Sequence, residues 1–223
     1  MAKIQVDHFS DVLCIWAYVS HIRIAELQSE FGDDIAIEVH FFPVFGDVPG
    51  KIKKAWGDRG GIAAYSQHVQ DVAEPFEHIT LHEDVWLKNT PQSSLPVHLF
   101  LAAARLAEQQ ERTEVGVFSR YMTLVREAFF VHARDVAQYK TLLLLADEAG
   151  LPVDIVRQSV ESGEAHAIIC RDMYKAVELG IKSSPTLLFN EGRQQLAGNV
   201  GYRIIEANVR ELLDNPAGQQ SWC

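Results

Sequence analysis

The order of strand-like and helix-like segments constrains the fold of this chain more than any other feature of its sequence. Residues 3–9 alternate apolar and polar side chains, residues 14–31 follow a helical period, and residues 35–41 alternate again up to Pro43. This order predicts a βαβ unit with a tight first turn. If both strands join one sheet, they are parallel and the crossover is right-handed.

The middle of the chain has a helical pattern, and strand signals return only near its end. From about residue 58 to residue 179 the pattern is helical almost throughout. Residues 186–189 then form a short apolar run, residues 194–197 a weaker strand, and residues 200–213 a last amphipathic helix. We therefore expect a small four-stranded sheet built from both ends of the chain, with the helical block as an excursion from it.

Composition and charge exclude several classes of function. A length of 223 residues suits one large domain or one domain with an insertion. The formal net charge of -10, without any basic run, repels phosphate backbones, so we expect no nucleic-acid partner. No apolar run is long enough to span a bilayer, and the N-terminus lacks a signal-peptide pattern. Three widely spaced cysteines argue against a secreted disulfide framework, and together these features predict a cytoplasmic protein without a membrane partner.

Cys14 is the residue from which we expect chemistry. It lies where the first predicted strand runs into the first predicted helix, so its sulfur meets free backbone N–H groups and the positive end of the helix dipole. Both effects favour the thiolate and are predicted to lower the pKa of the thiol. The alternative is a small buried apolar cysteine, which is the usual fate of a free cysteine.

Two segments carry a resemblance to the thioredoxin superfamily, and within it to the DsbA-like branch. Residues 10–18, Ser-Asp-Val-Leu-Cys-Ile-Trp-Ala-Tyr, resemble the active-site segment of FrnE-like relatives, which usually read Cys-Pro-Trp-Cys from Cys14 onward. Residues 180–189 resemble the family loop in which a cis-proline, here Pro185, precedes a strand. The resemblance covers nearly the whole chain, and with Pro185 in the matching place it favours a reactive Cys14.

This resemblance implies an α/β, thioredoxin-like fold with a large all-helical insertion. Residues 1–45 and 181–223 would form the thioredoxin-like domain, and residues 46–180 the inserted helical domain.

The resemblance also implies a set of binding residues around the cysteine. The Pro185 peptide would lie beside the Cys14 sulfur and leave the backbone of Ser184 free to pair with an extended thiol peptide such as glutathione. In glutathione-using relatives the start of the last helix holds the γ-glutamyl carboxylate, and Asn199 would occupy that place and cap the helix. Trp16 would either face the substrate or cover the sheet edge, and we weigh these two roles equally.

The chain departs from the family pattern at Ala17, which replaces the second cysteine, and at Ile15, which replaces the usual proline. A dithiol can close its own disulfide and expel a bound partner, whereas a single thiol needs a second thiol to resolve a mixed disulfide. The resemblance then implies glutathione-linked chemistry, as in kappa-class glutathione transferases and 2-hydroxychromene-2-carboxylate isomerases. We predict thiol–disulfide exchange with glutathione as cosubstrate and no metal. The resemblance is compatible with a homodimer, because glutathione-linked relatives are commonly dimers, but the sequence does not determine the oligomeric state.

Two alternatives to thiol–disulfide exchange stay open. In a glutathione-dependent transferase or isomerase, the Cys14 side chain would hydrogen-bond the glutathione sulfur without a covalent bond. The other alternative is a non-catalytic binding module on a retired enzyme fold, which the missing second cysteine suggests.

The remaining two cysteines are not predicted to take part in the reaction. Cys170 follows His166 by four residues on a predicted helix, and a core cysteine with a nearby histidine is favoured over a metal site, which needs more ligands. Cys223 is a candidate resolving thiol, but a frayed chain end with an exposed thiol is favoured.

Overall fold

A computed structural model describes residues 3–88 and 90–214 and places a four-stranded sheet in this part of the chain. The strands lie in the order β2-β1-β3-β4, with bounds β1 Ile4–Ser10, β2 Ile35–Phe41, β3 Thr186–Phe189 and β4 Gln194–Ala197. β1 and β2 are parallel, whereas β3 is antiparallel to β1 and β4 is antiparallel to β3. The predicted thioredoxin-like fold, with both ends of the chain in one sheet, is confirmed.

The described helices follow in chain order: α1 Ile15–Val19, α2 His21–Phe31, α3 Val48–Trp56, α4 Gly61–Ala73, α5 Leu95–Gln109, α6 Val117–Phe130, α7 Tyr139–Glu148, α8 Val153–Glu161, α9 Glu164–Glu178 and α10 Tyr202–Asp214. Helices α3 to α9 all lie between β2 and β3, as a helical insertion requires. The residue boundaries proposed for the inserted domain stay a prediction. Among the described residues, no helix is both long and apolar enough to cross a bilayer.

Two helical regions in the first 60 residues differ from the sequence predictions. The helix predicted over residues 14–31 is interrupted at Ser20, whose hydroxyl donates to the Ala17 carbonyl at 3.2 Å. Helix α3, which carries Pro49 and Gly50 in its first turn, was not predicted. A proline in the first turn gives up an N–H that has no helical partner there, and the Asp47 carboxylate accepts from the Gly50 N–H at 3.0 Å.

The sheet carries different apolar clusters on its two faces. Val6 of β1 packs with Leu27 of α2 and Ile205 of α10, whereas Phe9 packs with Ala176 of α9 on the opposite face. A further and larger cluster fills the helical insertion, and it includes Cys14 and the start of α1. The cysteine therefore lies where the thioredoxin-like part meets the insertion.

A network of charged side chains ties the sheet to the insertion. His40 of β2 lies between two carboxylates, with Nδ1 2.9 Å from Asp172 Oδ1 and Nε2 3.0 Å from Asp7 Oδ1. Arg105 of α5 donates to Asp172 Oδ2 at 3.0 Å, and Lys175 Nζ lies 2.9 Å from Asp7 Oδ1. Hydrogen bonds to Asp172 and Asp7 outweigh the burial of His40, which alone would lower its pKa, so this pKa is raised.

Candidate active site around Cys14

Cys14 is the residue that immediately precedes α1, in an extended conformation with φ -78° and ψ 120°. Its N–H donates to the Asp11 carbonyl at 3.1 Å, and its own carbonyl accepts from the Tyr18 N–H at 3.0 Å. The turn between β1 and α1 is therefore tight, and the sulfur lies at a helix start as the sequence predicts.

The structure brings Cys14 together with Ser184, which is 170 residues away in sequence, and with the adjacent Pro185. The thiol donates to the Ser184 carbonyl at 3.2 Å, and the Ser184–Pro185 peptide bond is cis. The Ser184 hydroxyl also accepts from the Asp11 N–H at 2.8 Å. The Ser184 carbonyl is engaged by the thiol in this arrangement, which differs from the free backbone that the resemblance implies.

The predicted low pKa of Cys14 is wrong for this arrangement of the chain. Burial raises the pKa of the thiol, since the residue is only 7% exposed, and the negative charge of Asp11 raises it further. The backbone N–H groups of Ala17 and Trp16 do lower the pKa, as expected at a helix start. Desolvation outweighs them because a buried thiolate loses the hydration that would stabilise its charge.

Asp11 is a buried residue of the candidate site that the sequence reasoning did not single out. Its carboxylate is fully buried and accepts from the Leu13 N–H at 2.9 Å, the Phe45 N–H at 2.9 Å and the Ser94 hydroxyl at 2.8 Å, and His98 Nε2 lies 3.4 Å away. Burial alone would raise its pKa, but His98 and the backbone donors hold this pKa below its ordinary value of 3.8. The sequence signal that could have indicated a buried carboxylate here is an acidic residue directly before the apolar Val12 and Leu13.

Aromatic side chains belong to, or pack against, the apolar cluster in which the cysteine is buried. Trp16 is half-buried, and its ring meets the ring of Phe76 edge-on, with centroids 6.5 Å apart. Tyr65 of α4 is buried in the same cluster as Cys14, and burial followed by the charge of Cys14 raises its pKa. Part of the insertion therefore closes over the sulfur.

Asn199 does not cap the last helix, so that prediction is wrong. Helix α10 begins at Tyr202, and the Ile204 N–H donates to the Gly201 carbonyl at 3.1 Å. The Asn199 side chain is exposed, and its oxygen accepts from the Arg23 guanidinium instead. The helix begins later than the apolar pattern indicates because residues 198–200 form a tight turn.

A small cavity of about 10 Å³ lies beside this turn and the proline loop. Its lining includes His8 of β1, Ser20 at the break between α1 and α2, Pro185, Gly198 and Val200. The residues on either side of Asn199 therefore share one cavity with Pro185.

The other two cysteines of the chain, Cys170 and Cys223, were not predicted to take part in the reaction. Cys170 is exposed on α9, so the prediction of a core cysteine is wrong. Helix α9 buries the face with Ile168, Ile169 and Asp172, and residue 170 lies on the opposite side. Cys223, the candidate resolving thiol, lies outside the described residues.

A group of possible metal ligands elsewhere in the described residues is already occupied by other partners. Asp7, Glu38 and His40 place one ligand atom each within 4.8 Å of one another. Asp7 and His40 bond each other, and Lys175 Nζ contacts both at 2.9 and 3.1 Å. An ammonium group at that position repels a cation, so we assign no metal there.

Comparison with known families and proteins gives a match over most of the chain. Residues 5–209 match the family described as the DSBA-like thioredoxin domain. The ClpXP adapter protein SpxH of Halalkalibacterium halodurans is 28% identical over an alignment of 224 residues. This alignment covers 94% of this chain and 68% of that protein. Three further SpxH proteins are matched over 42% to 60% of their lengths.

Solved structures show the same fold. The cytosolic disulfide reductase DsbM from Pseudomonas aeruginosa with GSH has a TM-score of 0.68 and 18% identity, covering 92% of this chain and 99% of that chain. A 2-hydroxychromene-2-carboxylate isomerase has a TM-score of 0.63 and 15% identity, covering 97% of this chain and 100% of that chain. At these identities the likeness establishes the fold alone.

Proposed function

This chain belongs to the DSBA-like thioredoxin domain family, and on that basis we propose that it exchanges disulfides with glutathione through the single thiol of Cys14. The observation that carries the proposal is the 3.2 Å contact between Cys14 Sγ and the carbonyl of Ser184, next to Pro185. A disulfide laid along this loop would have one of its sulfur atoms within reach of Cys14.

The proposed step exchanges one disulfide for another without net oxidation. The Cys14 sulfur loses its proton to solvent and attacks one sulfur of oxidised glutathione. An S–S bond forms between Cys14 and one glutathione while the original S–S bond breaks, and the second glutathione leaves as a thiolate that takes up a proton. Because Ala17 stands at the position of a resolving cysteine, a second thiolate, from a thiol substrate or from glutathione, must attack the glutathione sulfur of the mixed disulfide, which breaks its S–S bond and releases Cys14 as a thiolate that takes up a proton. A net transfer of glutathione results when the second thiolate comes from a substrate.

The covered position of Cys14 sets the conditions for this reaction. Only the thiolate is a good nucleophile, and the raised pKa leaves little of it at neutral pH. The sulfur is also covered, because Cys14 is buried in an apolar cluster that contains Tyr65 and against which Trp16 packs. Exchange would therefore follow a movement of this cover, which admits glutathione and solvates the sulfur together.

The structural likeness to DsbM, which was solved with GSH, supports glutathione as the partner. Ser184, Pro185 and Trp16 would position it, and Asn199 would contribute as an exposed side chain rather than as a helix cap. The homodimer and the cytoplasmic location stay predictions.

A glutathione-dependent transferase or isomerase is the second candidate, and the raised pKa of Cys14 favours it. A thiol that keeps its proton at neutral pH can donate a hydrogen bond to the glutathione sulfur, as it donates to Ser184 here. The fold shared with 2-hydroxychromene-2-carboxylate isomerase supports this candidate.

Intact-mass measurement after incubation with oxidised glutathione separates these functions. The exposed Cys170 would react as well, so the test uses the Cys170→Ser, Cys223→Ser double variant, in which only Cys14 remains. The matched control carries Cys14→Ser in addition. We expect one glutathione adduct in the double variant and none in the control.

Each of the other outcomes contradicts exchange in a different way. Glutathione binding without an adduct would support the transferase or isomerase. Neither binding nor adduct would favour a non-catalytic binding module, a role in keeping with the adapter proteins that the sequence resembles.

A further inference from the structure

Helix α9 carries an apolar stripe on the face that is exposed to solvent. The stripe consists of four exposed side chains of low polarity: Cys170, Met173, Tyr174 and Val177. Tyr174 is 74% exposed and Val177 is 80% exposed. Their spacing of i, i+3, i+4 and i+7 places all four in one line along the helix. A contiguous exposed apolar patch of this kind marks an interaction surface, whereas single exposed apolar residues do not.

The folded chain already uses the other face of α9. Ile168 and Ile169 belong to the apolar cluster of the insertion, and Ala176 packs with Phe9 of β1. Asp172 on the same face is bonded to His40 and Arg105. The helix therefore has apolar residues on two opposite faces, and its fold accounts for only one of them.

Two residues of opposite charge border the stripe. Arg171 and Glu178 are both exposed, and their spacing of seven residues places them within about 20° of each other around the helix. They are about 10 Å apart along the helix axis, which is too far for an ion pair within one chain. Within the part of the chain that the structure describes, neither has a charged partner. The border therefore offers one cation and one anion to a partner.

We propose that the stripe is the contact surface of a homodimer, in which α9 packs antiparallel on α9 of a second copy about a two-fold axis at Tyr174. In such a pair, residues equally far before and after the axis come opposite each other. Tyr174 then meets Tyr174 of the second copy. Cys170, four residues before the axis, meets Val177 of the second copy, three residues after it.

The same register also pairs the charged border, and this favours a second copy over an unrelated apolar partner. Arg171 lies three residues before Tyr174 and Glu178 four residues after it. Arg171 of each copy therefore comes opposite Glu178 of the other, and the two-fold axis gives two such pairs. A parallel pair of helices would instead place Arg171 level with Arg171. The surface is thus complementary to itself in shape and in charge only when the helices are antiparallel.

The dimer is independent of the proposed disulfide exchange. The stripe lies on the side of α9 opposite to the residues that share an apolar cluster with Cys14. Exchange can therefore fail while the dimer stands, and the dimer can fail while exchange stands. One helix from each copy makes a small interface, and small interfaces are weak, so we expect reversible association at about 1 to 100 μM.

Sedimentation velocity under reducing conditions tests the proposal over this range of concentration. We expect the mass of one chain at the low end and the mass of two chains at the high end. Arg171→Glu brings like charges together and should raise the dissociation constant about tenfold or more. Glu178→Arg should do the same, and the double variant Arg171→Glu, Glu178→Arg should restore association. Val115→Glu, at a residue that is 93% exposed outside α9, is the matched control and should change nothing.

Cysteine cross-linking tests the register separately. In the Cys14→Ser, Cys170→Ser, Cys223→Ser background, Tyr174→Cys should form a disulfide between two copies on mild oxidation, because its two copies meet at the axis. A chain that keeps Cys170 alone should not, since its two copies lie about 12 Å apart along the helices, beyond the reach of a disulfide.

The mass of a single chain at every concentration would overturn the proposal and leave the stripe to another partner. A dimer that Arg171→Glu does not weaken would show that the copies meet through a different surface. Failure of the charge-exchanged double variant to associate, or cross-linking of Cys170 instead of Tyr174→Cys, would refute the antiparallel register. Because all the substituted side chains are exposed, circular dichroism should show unchanged helix content in each variant.

Discussion

Replacing Asp11 by Ala should lower the free energy of unfolding by about 3–5 kcal/mol, the range for removing one partner from a buried ionic network. The carboxylate accepts hydrogen bonds from the N–H groups of Leu13 and Phe45 and from the Ser94 hydroxyl, all with donor–acceptor distances of 2.8–2.9 Å. Alanine leaves these donors buried without an acceptor, at about 1–3 kcal/mol each. The hydroxyl can rotate toward another acceptor, whereas the two backbone groups cannot.

Urea unfolding followed by tryptophan fluorescence measures this loss, with Ser94→Ala as the comparison. Ser94→Ala removes a single donor from the same carboxylate and should cost about 1 kcal/mol. A loss in Asp11→Ala no larger than in Ser94→Ala would refute the view that this carboxylate organises the turn before Cys14.

The Asp11 variant also has a defined pH signature. The pKa of Asp11 in the folded chain lies below its ordinary 3.8, so its ionisation stabilises the fold above pH 3.8, and this contribution is lost as pH falls through the folded-state pKa. The stability difference between wild type and Asp11→Ala should therefore be constant down to about that pH and shrink below it. A difference that grows on acidification would contradict the assignment of an ionised buried carboxylate.

Two further predictions concern the packing and charges around the site. The pKa of His40 is raised above its ordinary 6.5, so its pairing with Asp7 and Asp172 stabilises the fold fully below pH 6.5 and is lost as pH rises through the folded-state pKa. Urea unfolding at several pH values measures the difference in free energy of unfolding between wild type and His40→Gln. This difference should become smaller as the pH rises through the folded-state pKa of His40. A difference that does not change with pH would contradict the pairing. Phe130 is fully buried and stacked on Tyr18, so Phe130→Ala should cost about 3–5 kcal/mol in the same assay and Phe130→Leu clearly less. Equal losses in the two variants would show that the stacked ring leaves no cavity when it is removed.

The strands were predictable because their signals are local. Residues 186–189 and 194–197 are strands with the predicted bounds, since short apolar or alternating runs between turn residues favour extended backbone. The break at Ser20 was not predictable, because the helical period continues across it and a single hydrogen bond to Ala17 marks the interruption. The exposure of Cys170 was also missed, because the spacing to His166 says that both share a face but not which face is buried.

By itself, the amino-acid sequence determined the order of strands and helices and the place of Cys14 at a helix start, because periodicity and turn chemistry act between near neighbours. Only the tertiary structure decided the ionisation of that thiol. Tyr65 of α4 is buried in the same apolar cluster, Asp11 opposes a negative charge on the sulfur, and the Ser184 carbonyl accepts a hydrogen bond from the thiol. Burial and electrostatic interactions depend on groups that are far apart in sequence and that only the folded chain brings together. No local sequence pattern therefore encodes their combined effect on the pKa of Cys14.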